Sequence, residues 1–384
     1  MQEVWLDGSA ESVAELTRAV ADALDGGPAV VPLNAKDPSA KALRDAMAPE
    51  EPVEPGTAVI IATSGSTGAP KGVLLSASAL RASATATHAR LGGPGHWLLA
   101  TPSHYIGGLQ VLVRALLSGT TPAVLTGDGF RPDDFAAAAA SLSTVDGPRY
   151  TALVPTQLVR LLDSPAGLAA ARTFDAIVIG AAATSAQLRE RAADAGVRIV
   201  PAYGMSETAS GCVYDGVPLD GVRIELDDDG RIRIAGDVLA HGYRRQPELT
   251  AESFGDGWFR TSDRGRFTED GRLQVLGRAD DMINTGGVKV SAAAIERVLG
   301  AQPGVRDACV VGVPHPEWGE AVVALVVPAS GACDGGDLCA AVKSELGAAC
   351  APKRVEFATE LPLRGPGKID RMAVRDRLTT ENIP

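Results

Sequence analysis

Between about residues 57 and 201, short apolar runs alternate with segments of helical spacing, and this alternation constrains the fold more than any other feature. TAVIIAT, HWLLATP, TPAVLTG, YTALVP, FDAIVIG and VRIVPAYG read as strands. SASALRASATATHARL, GGLQVLVRALLSG, PTQLVRLLD and SAQLRERAADAG carry helical periodicity between them. Such alternation predicts an α/β architecture, a largely parallel sheet with helices on its faces. After residue 210 the pattern changes. GVRIELDDDGRIRIAG has the signature of a hairpin around an acidic, glycine-closed turn, and GWFRTSDRGRFTEDGRLQVLG continues in that antiparallel style. A β-rich subdomain is therefore expected to follow the α/β one. The remaining C-terminal stretch reads as a small α+β unit, with SAAAIERVLG and DLCAAVKSELGAAC as helices and VRDACVVGVP and EAVVALVVP as strands. The expected boundary lies in the polar stretch GRADD, near Ala279–Asp281, giving a large domain over 1–279 and a small one over 280–384. A chain of 384 residues is too long for one ordinary core, which fits two domains.

Bulk composition excludes several classes. Hydrophobic residues make up 45% of the chain, enough for a well-buried globular protein. The net charge of −11 argues against non-specific binding to nucleic acid or to an anionic membrane. The N-terminus MQEVWLDGSAESVAEL is acidic and lacks the regions of a signal peptide, and no run approaches the roughly 18 apolar residues of a membrane span. A soluble, cytoplasmic protein is expected. The five cysteines contain no C-x-x-C pair and the five histidines no H-E-x-x-H, so neither a disulfide framework nor a structural transition-metal site is predicted. A homo-oligomer is left open.

The stretch TSGSTGAPKG at 63–72 supplies the first candidate site. It follows a strand-like run and precedes a strand end and a helix, which suggests a phosphate-gripping loop. Its letters do not fit G-x-x-x-x-G-K-[ST], because Pro70 and Gly72 stand where the second glycine and the hydroxyl belong. Four later stretches place charge where chemistry would use it: YGMSETAS, RTSDRG, GRADDMINTGGVKV and PLRGPGKIDR. Glu207 follows a strand and the tight Tyr203–Gly204 turn, a common place for a ligand-facing carboxylate; a dipole-stabilised helix start is its simpler reading. Asp263 suits a ribose or a backbone turn. Arg278 suits a phosphate or ribose, or a surface ion pair. Lys368 suits a mobile catalytic cation or a solvated loop.

Taken together and in this order, the five motifs resemble the superfamily of adenylate-forming enzymes, which contains the acyl- and aryl-CoA synthetases, adenylation domains and luciferases. The resemblance covers nearly the whole chain. It implies that Thr63, Ser64, Gly65, Ser66, Thr67, Gly68 and Lys71 close over the β- and γ-phosphates of ATP. It implies that Gly180, Ala181, Ala182 and Tyr203 line the adenine, that Glu207 associates with Mg²⁺ and that Thr208 meets the α-phosphate. Asp263 and Arg278 match the ribose-binding aspartate and its partner, Lys368 the catalytic lysine of the small domain, and Asp280 the hinge. The glycine pair Gly286 and Gly287 is expected to leave room for the pantetheine arm of coenzyme A. The implied reaction makes an acyl-adenylate and pyrophosphate, then a thioester and AMP.

Two positions depart from the superfamily pattern. Ala294 replaces a frequent glutamate at the third position of the helix that Ser291 is expected to cap, at a cost of about 1 kcal/mol at most. Asn284 replaces a frequent lysine. On the acid side, His104, Gly204 and Arg114 are the substrate-binding candidates, with Arg114 expected to meet a second carboxylate. A packed core histidine and a solvated helix arginine are the simpler readings of the first and last. GCVYDGVPLDGV, the short N-terminal region and the HYIGG segment together look most similar to the 2-succinylbenzoate–CoA ligases of menaquinone biosynthesis, so an aromatic carboxylic acid, ATP and CoA are the expected small-molecule partners. Another acyl- or aryl-CoA ligase, or an enzyme charging a carrier protein, is the competing reading.

Overall fold

The computed structural model describes residues 1–64, 70–127, 129–278, 281–329, 333–364 and 368–379. Two compact units emerge, one of Met1–Thr184, Arg189–Glu225 and Arg233–Thr261, the other of Ser185–Leu188, Leu226–Ile232 and Ser262–Pro384. Among the described residues no helix is long and apolar enough to cross a membrane.

The first unit holds two sheets where the sequence pattern suggested one. A five-stranded sheet runs in the order Gln2–Leu6, Val30–Asn34, Val59–Ser64, Pro70–Leu75, Gly242–Tyr243. Its first three strands are parallel and its last two antiparallel. A seven-stranded sheet runs Val217–Pro218, Ser210–Tyr214, Ile199–Met205, Ala176–Ile179, Arg149–Leu153, His96–Leu99, Ala123–Val124. Its five central and distal strands are parallel, as the alternation predicts. VIIATS is thus not part of that sheet: its immediate antiparallel partner and the N-terminal strands claim both of its edges. TPAVLTG contributes only the two residues Ala123–Val124 at a sheet edge.

The helices form where the apolar period is close to 3.6. In Ala10–Leu24 the buried stripe is Val13, Leu16, Val20, Ala23 and Leu24, and the Ser9 hydroxyl caps the first turn by accepting from the Ser12 N–H at 3.1 Å. Ala77–Leu91 is capped in the same way by Ser76 and closes on Gly92, whose φ of 112° only glycine adopts readily. Residues 223–278 form the expected β-rich sheet, in the order Arg223–Leu226, Arg231–Ala235, Trp258–Phe267, Phe254–Gly255, with Leu273–Arg278 also paired to Trp258–Phe267.

The C-terminal sheet runs Val288–Ser291, Met282–Thr285, Gly319–Pro328, Val305–His315, with Arg354–Phe357 parallel to Gly319–Pro328. Its two long strands are buried almost continuously because both faces are covered. One face packs on Ala292–Gly300 and Gly335–Leu346, through Ile295, Val298, Leu299, Leu338 and Val342. The other packs on Arg371–Thr379 through Val374 and Leu378, and includes Cys309 as the sequence suggested. Ser291 caps its helix by accepting from Ala294 N–H. The fold is the α/β arrangement with an α+β C-terminal part that the pattern predicts.

Candidate active site

The loop of TSGSTGAPKG joins two antiparallel strands. Thr63 stands opposite Lys71 in the ladder, and its hydroxyl donates to the Lys71 carbonyl at 3.3 Å. Gly65, Ser66, Thr67 and Gly68 lie outside the described residues, as does the side chain of Ser64. The next helix begins only at Ala77, so the strand–loop–helix geometry suggested by the sequence is corrected to strand–loop–strand. Anion binding there would fall to loop N–H groups, hydroxyls and Lys71.

Glu207 sits in a single 3₁₀ turn, Ser206–Thr208, directly after the strand Ile199–Met205 that carries half-buried Tyr203. Thr208 is buried, and its hydroxyl accepts from the Met205 N–H at 2.9 Å and lies 2.7 Å from the Ser210 carbonyl. That hydroxyl fixes the turn, and an α-phosphate contact would have to replace one of these bonds. The backbone then passes through two left-handed non-glycine residues, Ala209 at φ 49° and Ser210 at φ 94°. Two such conformations in sequence, beginning two residues after Glu207, concentrate strain where function would use it. Gly204 is required by close approach: a Cβ there would stand 2.1 Å from the Ser210 carbonyl oxygen. Gly180, Ala181 and Ala182 follow the neighbouring parallel strand Ala176–Ile179, so they emerge at the same carboxyl edge as Tyr203, the usual ligand side of an open α/β sheet. Ala181 is left-handed at φ 67°, and Ala181 and Ala182 are exposed.

The sequence analysis missed Tyr243. Its hydroxyl donates to Glu207 Oε1 at 2.9 Å, and Lys71 Nζ lies 5.4 Å from its ring centroid. Two candidates from distant motifs are therefore joined by one side chain. Burial, then the neighbouring Glu207 carboxylate, holds the Tyr243 phenol well above its ordinary range, so it remains a donor at working pH. Among the described residues no three His, Cys, Asp or Glu side chains cluster as a metal site. Glu207 alone fits a Mg²⁺ that takes its other oxygens from nucleotide phosphates and water.

In the second unit, Asp263 and Arg278 stand directly opposite each other on antiparallel strands. Gly286 and Gly287, at φ 58° and 79°, form the two-residue turn between Met282–Thr285 and Val288–Ser291, which by itself calls for glycine at both places. Leu363–Arg364 and Lys368–Ile369 pair as a short hairpin; the Lys368 side chain and Asp280 lie outside the described residues. Just after Lys368, Arg371 donates to Glu296 Oε2 at 2.7 Å and to the Val310 carbonyl at 2.9 Å, tying the hairpin's end to the sheet.

Models of two families match the chain: "AMP-binding enzyme" over residues 6–243 and "AMP-binding enzyme C-terminal domain" over 294–368. This chain belongs to the AMP-binding enzyme family. A Mycobacterium tuberculosis protein named "Probable 2-succinylbenzoate–CoA ligase" is 44% identical over 339 residues, 86% of this chain and 87% of its own. A feruloyl-CoA synthase of an Amycolatopsis species is 34% identical over 351 residues, 83% of this chain and 69% of its own. Among solved structures, the amide bond synthetase McbA of Marinactinospora thermotolerans superposes with a TM-score of 0.76 at 30% identity, over 98% of this chain and 80% of its own. The chain is an AMP-forming acid–thiol ligase of this family.

Within this family member, the acid-side candidates divide. His104 lies 4.1 Å from Tyr105 between ring centroids, the planes tilted by 46°, and its Nε2 is buried without a hydrogen-bond partner among the described residues. Burial pulls its pKa to about 4, so the ring is neutral. Arg114 is not the solvated helix arginine of the simpler reading. It is 1% exposed, its guanidinium 5.0 Å from the Trp97 ring and 3.4 Å from the Tyr214 hydroxyl, and burial pulls its pKa down. A helix arginine facing inward is invisible to a motif search, because helical spacing alone does not say what covers each face.

His88, beside Arg114, is also held near pKa 4, by burial first and then by that guanidinium. Both histidines are depressed below their ordinary 6.5. Their neutral forms stabilise the fold fully above pH 6.5, and that stability is lost as pH falls from there through about 4. Thermal midpoints measured over this window should fall, and fall less in His88→Gln with His104→Gln. An identical slope in the double variant would assign the acid sensitivity elsewhere.

Proposed function

We propose that this enzyme adenylates 2-succinylbenzoate with ATP and transfers the acyl group to CoA, giving 2-succinylbenzoyl-CoA, AMP and pyrophosphate, a step of menaquinone biosynthesis. The observation that carries the reading is the 44% identity spanning 87% of the mycobacterial relative so named. A carboxylate oxygen of the acid attacks the α-phosphorus and the bond to the β-phosphate breaks. Two anions must meet, so the cost is electrostatic, and preorganised positive charge is the effective remedy. Mg²⁺, held by Glu207 and nucleotide oxygens, would supply part of that charge when bound. Lys71 would hold the departing pyrophosphate, and Lys368, carried by a C-terminal domain from residue 280, would meet the developing oxyanion. Asp263 and Arg278 would take the ribose, and Gly180–Ala182 with Tyr203 the adenine. The CoA sulfur then attacks the mixed anhydride carbonyl, forming the C–S bond as AMP leaves, along the Gly286–Gly287 face.

The 34% identity to a feruloyl-CoA synthase supports a second reading, another aryl acid in the same chemistry. Pyrophosphate release is to be measured with ATP, Mg²⁺ and a panel of 2-succinylbenzoate, ferulate, benzoate and fatty acids, with and without CoA. Fast CoA-dependent turnover on 2-succinylbenzoate is expected, with weak turnover on the rest. Preference for ferulate would replace the substrate and keep the mechanism.

A further inference from the structure

Segment 240–244 is fastened to both halves of the nucleotide site. The Ala240 N–H donates to the Glu207 carbonyl at 2.8 Å, and the Arg244 N–H to the Gly72 carbonyl at 2.7 Å, one residue beyond Lys71. Between them Gly242 and Tyr243 pair with Leu74 and Val73. The Tyr243 N–H donates to the Thr250 hydroxyl at 2.9 Å, and the ring, 6% exposed, meets Phe254 edge-on at 5.6 Å. Backbone and ring are both held, so the hydroxyl has one direction to point.

We propose that Tyr243 is a positioning residue that holds Glu207 by its hydroxyl and Lys71 by its ring face, presenting both to one phosphate chain. This deepens the adenylation reading and rests on it. The chemistry favours a tyrosine in this place. Opposite charges near one site tend to neutralise each other, and a tight ion pair would have to break before the carboxylate met a metal and the ammonium met phosphate. A phenol gives the carboxylate a neutral donor and the ammonium a π face. Both contacts can persist beside a bound nucleotide, and both preset the geometry.

The test is a double-mutant cycle read on ATP binding by calorimetry across a Mg²⁺ titration. Tyr243→Phe keeps the ring and its Phe254 contact and removes the hydroxyl. It should raise the Mg²⁺ needed for half-maximal enhancement of ATP binding about tenfold, the scale of one hydrogen bond to a charged group. In a Glu207→Gln background the same change should do less than about a third of that. Tyr243→Leu should also weaken ATP binding without metal, because Lys71 loses its platform, whereas Tyr243→Phe should not. Near-UV circular dichroism reports whether each variant keeps its packing. An unchanged Mg²⁺ dependence in Tyr243→Phe, or an equal shift with and without Glu207, overturns the proposal. Since the cycle is read on binding, a wild-type enzyme that binds ATP but releases pyrophosphate with no acid would end the adenylation reading and leave the positioning result standing.

Discussion

Lys368→Ala is expected to cut acyl-adenylate formation by about 100- to 1000-fold, the scale on which loss of one preorganised charge at a developing oxyanion acts. Thioester formation from supplied acyl-adenylate should be largely spared, because the second step expels AMP and no longer needs a cation between acid and α-phosphate. The two half-reactions are measured separately, as acid-dependent pyrophosphate release and as CoA consumption with synthetic adenylate. Equal loss of both would refute the division of labour. The hairpin that bears Lys368 is anchored by Arg371 to Glu296 and to the Val310 carbonyl, so the alanine change should leave the C-terminal sheet intact.

The largest stability effect is expected at Arg244, whose side chain is fully buried. Its guanidinium donates to the carbonyls of Met47, Ala48, Glu51 and Pro52 and to Glu54 Oε2. One residue therefore satisfies the acceptors of an entire bend, 47–54, that has little regular structure of its own. Arg244→Met fills similar volume but removes the guanidinium from these carbonyls and leaves Glu54 with the Arg245 N–H. The expected loss is about 3–5 kcal/mol, because four backbone carbonyls lose a charged donor at roughly 1 kcal/mol or more each. That corresponds to a fall of roughly 10 °C in thermal midpoint, and protease should cut within 47–54. Arg244→Lys should recover little, since an ammonium has three donors and no planar fork. A midpoint within about 1 °C of the parent would show that the bend closes on itself without the arginine.

These two residues also show where sequence reading reached and where it stopped. Lys368 could be proposed from sequence because PLRGPGKIDR carries its own context, a cation in a glycine-proline loop resembling a family pattern. Arg244 and Tyr243 stand in HGYRRQPELT, where nothing local marks either as special. Their partners come from Met47–Glu54, Lys71 and Glu207. A hydrogen bond or a buried charge is defined by what surrounds it, and here the surroundings come from remote segments.

By itself the sequence determined the period of each element, and with it the α/β alternation, the antiparallel middle and the α+β character of the C-terminal part. It also determined the order of the five motifs, because these depend on neighbouring residues along the chain. The tertiary structure decided which sheet Val59–Ser64 joins, that the glycine-rich stretch leads into a strand, that Arg114 faces inward, and that Glu207 and Lys71 share Tyr243. Periodicity says which side of an element is apolar. Which element then covers that side is a choice among remote partners, made by packing and desolvation once the whole chain has closed.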